Sequence, residues 1–241
     1  RCPPRRSAAV GASGLLLYYR NGAAIDEHDA VIRLNSAVTA GFEDFVGSKT
    51  TVRFTDRANF AFSEKPTEIV MQLVTNPHTL EKYVSYRKDN PESRVFMVAP
   101  EFHMHVVSDL AAPVSPAFYA LLFALQRCQQ VSLFGFSRGT APDVPFHYHD
   151  AEQPSDEEVR RQREEESLVD ELLRRSSGRA SLQEPCVSAA DCEGEATCSR
   201  CAYGSRCVCG NTMPVAKMGF CMESGVADCF YRCKDADQCP G

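Results

Sequence analysis

The sequence lacks any concentrated run of basic residues. Its formal charge at pH 7 is −6 over 241 residues, whereas a nucleic-acid surface needs a clustered positive stripe. The opening Arg1-Cys2-Pro3-Pro4-Arg5-Arg6 is basic but short, and reads as a solvated lead-in to a first strand. Also missing are a signal peptide and any apolar run long enough to span a membrane, and the chain does not start with methionine. The last 56 residues hold no histidine and few large apolar side chains, so that stretch cannot build a core of its own.

What it has instead is cysteine. Ten of the twelve cysteines fall in those last 56 residues: Cys186, Cys192, Cys198, Cys201, Cys207, Cys209, Cys221, Cys229, Cys233 and Cys239. Such density without a core means that covalent cross-links replace packing. Zinc is the rival explanation, because Cys198 lies close to Cys201, and Cys207 to Cys209. A zinc domain usually shows two well-spaced pairs, seldom ten cysteines. Disulfides imply a lumenal or extracellular compartment, and proteins of that compartment need a targeting segment, so the chain is expected to be a fragment. The Cys186 to Cys192 spacing recurs from Cys233 to Cys239, as if a second unit began there.

Ahead of the tail, residues 7–11, 30–34, 51–54, 68–74, 94–99 and 131–134 are short apolar, β-rich runs, with helical patterns between several of them. This predicts an α/β fold with a mostly parallel sheet covered on both faces. One helix is expected from Pro116 to Gln129, apolar on more than one face, with Ser115 able to cap it and Pro116 suited to its first turn. Another starts near Ser155, where Glu158 completes a capping box. Its first half is charged, and Leu168, Val169, Leu172 and Leu173 give it a docking face. Residues 174–181 read as a linker. The expected division is therefore 1–180 for the α/β domain and 181–241 for a small, incomplete disulfide module.

Two stretches carry polar groups suited to chemistry. Gly11-Ala12-Ser13-Gly14 follows the first strand and is either a simple tight turn or a place where backbone amides meet a phosphate. Its spacing is not the dinucleotide fingerprint. Residues 146–150 follow the last clear strand, where open α/β folds assemble their sites. His147 and His149 there suit proton transfer or phosphate binding, and a metal pair with Asp150 is also possible; structural histidines are the plain alternative. His28, His103 and His105 read as structural or exposed.

Residues 7–54 resemble the large sialyl motif of the eukaryotic sialyltransferases. The match runs through Gly11, Ser13, Gly14, Ile25-Asp26, His28-Asp29, Val31-Ile32-Arg33, Asn35, Thr39, Gly41-Phe42-Glu43, Val46-Gly47 and Lys49-Thr50-Thr51. Residues 94–109 resemble the strand and helix before the small sialyl motif. Ser115 to Phe136 resembles that motif through Ala124-Leu125, Cys128, Val131 and Gly135-Phe136, and His147-Tyr148-His149-Asp150 resembles the short third motif. The tail lies outside the resemblance.

The resemblance implies a Rossmann-like three-layer sandwich, a GT-A-like variant, and transfer of sialic acid from CMP-sialic acid to a terminal sugar of a glycoprotein or glycolipid. Inversion by direct displacement, with no metal and no cofactor beyond the donor substrate, belongs to the same implication. So does a Golgi location, with a membrane anchor ahead of Arg1 in the full-length form, secretion being the alternative. Gly11, Ser13, Gly14, Asn35, Ser115 and Tyr148 would then form the donor-binding set. His147 would donate to the departing phosphate, and His149 or Glu166 would handle the acceptor proton.

The chain departs from the family pattern at several points. The family cysteine that bonds to the small motif's Cys128 is here Ser7, and Cys2 lies five residues upstream, a reach of roughly 16 Å if extended. Ala12 stands where the family has asparagine. The small motif normally opens Pro-Ser-Thr-Gly, and here reads Val114-Ser115-Pro116-Ala117, whose proline offers no amide hydrogen. The fourth motif should be a histidine, four residues and a glutamate. Aligning Glu166 as that glutamate puts Arg161 at the base position, and arginine accepts no proton near neutral pH. Aligning Glu171 instead puts Glu166 there. Two non-catalytic readings follow: a lumenal glycan- or nucleotide-sugar-binding protein that has lost its base, or a secreted cysteine-rich repeat protein that uses the α/β part as scaffold.

Overall fold

All six expected strands form: β1 (Arg6–Val10), β2 (Ala30–Leu34), β3 (Val52–Thr55), β4 (Ile69–Gln72), β5 (Val95–Met97) and β6 (Gln130–Phe134). The computed structural model describes residues 6–107, 115–136, 144–150, 154–175, 180–185, 208–209 and 220–221. A seventh strand, β7 (Ala180–Pro185), runs parallel beside β6, so the sheet crosses the expected boundary at residue 180. The short β8 (Val208–Cys209) and β9 (Phe220–Cys221) follow on that edge. The other eight tail cysteines, Cys2 and Val114 lie outside the described residues.

Strand order is β5-β4-β3-β2-β1-β6-β7, and these seven are parallel to their neighbours. The chain winds outward from β1 to β5, then returns to lay β6 on the other side of β1. That reversal is the point where parallel sheets open a crevice at their carboxyl ends. Helices α1 (Gly22–Asp26), α2 (Glu43–Val46), α3 (Pro77–Asp89), α4 (Pro100–Val107), α5 (Pro116–Arg127) and α6 (Asp156–Arg175) complete the layers. Among the described residues, no helix is long and apolar enough to cross a membrane.

Period-two alternation in β1 sends side chains to two cores. Ala9 joins Ile32, Phe54 and Leu133 against Phe118, Tyr119 and Leu121 of α5. Ala8 and Val10 join Val31, Ile25 and Val46 on the opposite face. Each fully buried Leu, Ile or Phe in such a core is worth about 1.5 to 3 kcal/mol. α5 stops at Arg127, two residues short of the expected end, because Cys128 turns extended and leads into β6.

Two charged side chains interrupt the strands and are completely buried. Arg53 on β3 pairs with Glu68 just ahead of β4, at 2.7 Å from Nε to Oε2 and 3.3 Å from Nη2 to Oε1. Its Nη1 donates to the carbonyls of Asn35 (2.9 Å) and Ala37 (3.0 Å). Arg33 on β2 donates to the carbonyls of Val46 and Lys49 and to Thr50 Oγ1. Burial is the main force that pulls its guanidinium down to about 10. Ser7 is buried, its hydroxyl donating to the Gln130 carbonyl at 3.5 Å, and Cys128 is a buried free thiol whose ionisation burial pushes upward, with Ser7 opposing.

Two outcomes are expected. Glu68→Gln strands a buried cation and lowers unfolding free energy by about 3 to 5 kcal/mol in urea titration. A change below roughly 1 kcal/mol would show that Glu64, 3.5 Å from Arg53, can replace it. Ser7→Cys should restore a bond to Cys128, seen by non-reducing peptide mapping and a reductant-sensitive gain of roughly 2 to 4 kcal/mol.

Candidate active site

A cleft of about 1650 Å³ lies at the carboxyl ends of the central strands, where the strand order reverses. Its floor exists because β1 and β6 end in glycines. Gly11 donates to the Phe134 carbonyl at 2.7 Å, and a Cβ on Gly11 would sit 2.0 Å from the Gly135 oxygen. Gly135 itself is at φ +67, a conformation that side chains disfavour. This close approach of backbone to backbone is what requires Gly11.

The third-motif loop is strapped across the end of β1. Ser13 and His147 form an isolated antiparallel bridge, and the Tyr148 amide donates to the Ala12 carbonyl at 2.9 Å. Tyr148 is buried, its ring edge-on to Phe42 and its hydroxyl donating to the Val38 carbonyl at 2.7 Å. Burial pushes its phenol up to about 12. The tyrosine is therefore a bolt, and its two neighbours, His147 and His149, are the residues that line the cleft. Ser13 caps the short 3₁₀ turn at Gly14–Tyr18, accepting from the Leu15 amide.

On the β2 side, Asn35 sits at φ 42, tolerable for asparagine. Its side chain accepts from the Asp56 amide and donates to Asp56 Oδ2, both at 3.0 Å. From α6, Glu165 accepts from the amide and hydroxyl of Ser115, each at 2.5 Å, which joins α6 to the start of α5. The capping box forms as expected: Ser155 donates to Glu158 and accepts from its amide.

Asp150 links the two imidazoles. His147 Nδ1 lies 3.1 Å, and His149 Nε2 3.3 Å, from Asp150 Oδ2. The two rings stack at 5.3 Å. Burial lowers the pKa of His149, with Asp150 opposing and His147 and Arg53 adding to the shift. His28 is lowered too, again mainly by burial.

Of the expected site residues, Gly11, Ser13, Asn35, Ser115, His147, His149 and Glu166 line one cleft. Gly14 and Tyr148 do not. Gly14 is needed where the Pro145 carbonyl passes, since a Cβ there would meet it at 2.3 Å, and Tyr148 points into the core. The side chain of Arg161 lies outside the described residues. Asp56, Arg57 and Glu165 also line the cleft and were not foreseen. For Asp56 a signal existed: an acid directly after a buried strand sits at a carboxyl end.

A family model described as glycosyltransferase family 29 (sialyltransferase) matches residues 2–176. Beta-galactoside alpha-2,6-sialyltransferase 2 of Gallus gallus is 27% identical over 173 residues, covering 59% of this chain and 33% of the relative. The CMP-N-acetylneuraminate-beta-galactosamide-alpha-2,3-sialyltransferase 1 of Sus scrofa is 32% identical over 172 residues, covering 63% of this chain and 49% of the relative. The chain thus spans about a third to a half of the length of these curated relatives. A solved mammalian sialyltransferase superposes with a TM-score of 0.62 at 25% identity, covering 76% of this chain and 69% of that one. A second structure, of a mammalian sialyltransferase with Gal-beta-1-3GalNAc-ortho-nitrophenol, gives 0.61 at the same identity, over 76% and 70%.

The two lowered histidines set a pH dependence. Unfolded imidazoles titrate near 6.5 and take up protons before the folded ones do, so stability is full above that pH and falls as pH drops below it. Asp26 and Glu64, lowered by their hydrogen bonds despite burial, lose their contribution only below the usual carboxylate range. Thermal midpoints measured in EDTA should therefore decline between pH 7 and 5.5, and His28→Gln should flatten that decline. An unchanged slope in His28→Gln would show that His28 is not held neutral.

Proposed function

This chain belongs to glycosyltransferase family 29, the sialyltransferases, and from that premise we propose that it transfers sialic acid from CMP-sialic acid to a terminal sugar of a glycoprotein or glycolipid. The reaction is a direct, inverting displacement with no metal ion on the phosphate. The supporting observation is the cleft itself, which gathers Ser13, Asn35, Ser115, His147, His149 and Glu166 from five separate segments at the strand ends.

In this reading the bond from the anomeric carbon to the phosphate oxygen of CMP breaks as the acceptor hydroxyl oxygen bonds to that carbon. Charge builds on the phosphate, and fixed donors aimed at it lower the barrier. His147 on the strapped loop is the donor to that oxygen. The acceptor must enter from the opposite face of the sugar, so its proton goes to a base on another wall of the cleft. Glu166 lines the cleft from α6, a different element from the His147 loop, which supports it over His149, next door to His147. The Golgi lumen is the proposed compartment, in keeping with a cysteine load that needs oxidising conditions.

A second reading is a lumenal binding protein for glycans or nucleotide sugars without turnover. The engagement of both Ser115 groups by Glu165 favours it, because the same groups would otherwise be available to the donor.

The assay is CMP release from CMP-sialic acid, with and without an asialoglycoprotein. Acceptor-dependent release is expected, reduced roughly 10² to 10⁴-fold in His147→Ala and in Glu166→Gln. No release above the His147→Ala control removes the transferase reading, and CMP binding without release selects the binding protein.

A further inference from the structure

Among the described residues, Arg57 is the single Lys or Arg side chain that lines the cleft, against Asp56, Asp150, Glu158, Glu165 and Glu166. Four of those acids are engaged within the protein. Asp56 accepts from the Asn35 side chain at 3.0 Å, and from the main chain and side chain of Asn59 at 3.0 and 3.1 Å. Asp150 meets His147 and His149, Glu158 caps α6 at Ser155, and Glu165 holds Ser115. The Arg57 side chain is exposed and makes no hydrogen bond or ion pair among the described residues.

The turn that presents this arginine is pinned on both sides. Asn59 closes it on Asp56. Gln72 donates to the Asp56 carbonyl and accepts from the Ala61 amide, each at 2.9 Å, while Asn35 grips Asp56 from the end of β2. The backbone around Arg57 is therefore placed, and only its side chain is left to move. The turn follows β3, two strands from β1, whose end carries the His147 strap. Two strand spacings amount to about 10 Å. A ligand with one anionic group at His147 and a second one on the β2 side brings the latter within reach of an extended arginine.

We propose that Arg57 binds the carboxylate of the donor's sialic acid, and so selects a nucleotide sugar that is acidic at its anomeric carbon. The assignment rests on the transferase reading above. In CMP-sialic acid that carbon carries two anionic groups, the leaving phosphate and the carboxylate beside it. His147 serves the first, which leaves the second facing a wall of carboxylates that repels it. A guanidinium meets a carboxylate with two parallel N–H donors, and at Arg57 no described residue competes for them. The pair also restrains the sugar from turning about its bond to the phosphate oxygen, so the anomeric carbon keeps one face toward the acceptor. A neutral hexose on the same nucleotide gains nothing from Arg57.

The test measures, by calorimetry on the full chain, the affinity for CMP, for a fluorinated CMP-sialic acid analogue that resists transfer, and for the carboxylate methyl ester of that analogue. The parent should prefer the acid to its ester roughly tenfold, the low end for a charge-assisted pair because the site is open to solvent. Arg57→Gln should erase that preference and leave CMP affinity within about twofold, while Arg57→Lys restores only part of it. Above neutral pH, CMP carries as much negative charge as the analogue. An equal loss for CMP and analogue in Arg57→Gln therefore places the arginine on the phosphate or makes it a general attractor, and overturns the proposal. So does a parent that binds acid and ester alike, a result that needs no variant to fold. CMP affinity of the parent reports on the nucleotide reading by itself. CMP bound with an indifferent Arg57 keeps that reading and removes this one, and a parent that binds neither CMP nor analogue removes both.

Discussion

The cleft depends on the ion pair between Arg53 and Glu68. A guanidinium in a sheet interior is costly unless every donor is occupied. Here Glu68 takes one side and the carbonyls of Asn35 and Ala37 take another, so the charge is neutralised and the turn after β2 is gripped at once. That grip holds Asn35 in its left-handed conformation, and Asn35 in turn holds Asp56 after β3. Two strand ends and their side chains are thereby fixed by one buried cation. Gln72 repeats the tactic one strand further out, donating to the carbonyls of Thr55, Asp56 and Leu73.

The other wall is fixed by a different device. The loop bearing both imidazoles has little structure of its own and borrows rigidity from β1, through main-chain contacts to Ala12 and Ser13 and a tyrosine driven into the core. Side chains on loops gain positional accuracy when their neighbours are locked by packing. The α6 wall is held by a carboxylate set against the first turn of α5, where unpaired amides and the helix dipole welcome a negative charge.

Much of this fold was legible in the chain. Short β-rich runs read as parallel strands and proved to be so, the central β1 and β2 almost wholly buried and the edge strand β5 leaving Phe96 exposed. The capping box at Ser155 and Glu158 was equally plain, being a contact across three residues. What failed to show was anything made by distant partners. Tyr148 reads as a ligand because of its neighbours, yet its hydroxyl meets Val38, 110 residues away. Arg53 and Glu68 pass unnoticed inside strand-like runs, although a charge in a doubly covered strand announces that a buried partner exists. Gly11 and Gly14 read as a phosphate loop or a turn, and the structure assigns both to close main-chain approach, of β6 in one case and of Pro145 in the other.

Strand β7 carries a topological consequence. It runs parallel to β6, so its last residue, Pro185, emerges on the same rim as Gly135 and the mouth of the cleft. The main chain also meets that end of β7 again at Val208–Cys209. The chain therefore leaves β7, and comes back to it through Val208–Cys209, at the cleft rim and not at the far end of the sheet.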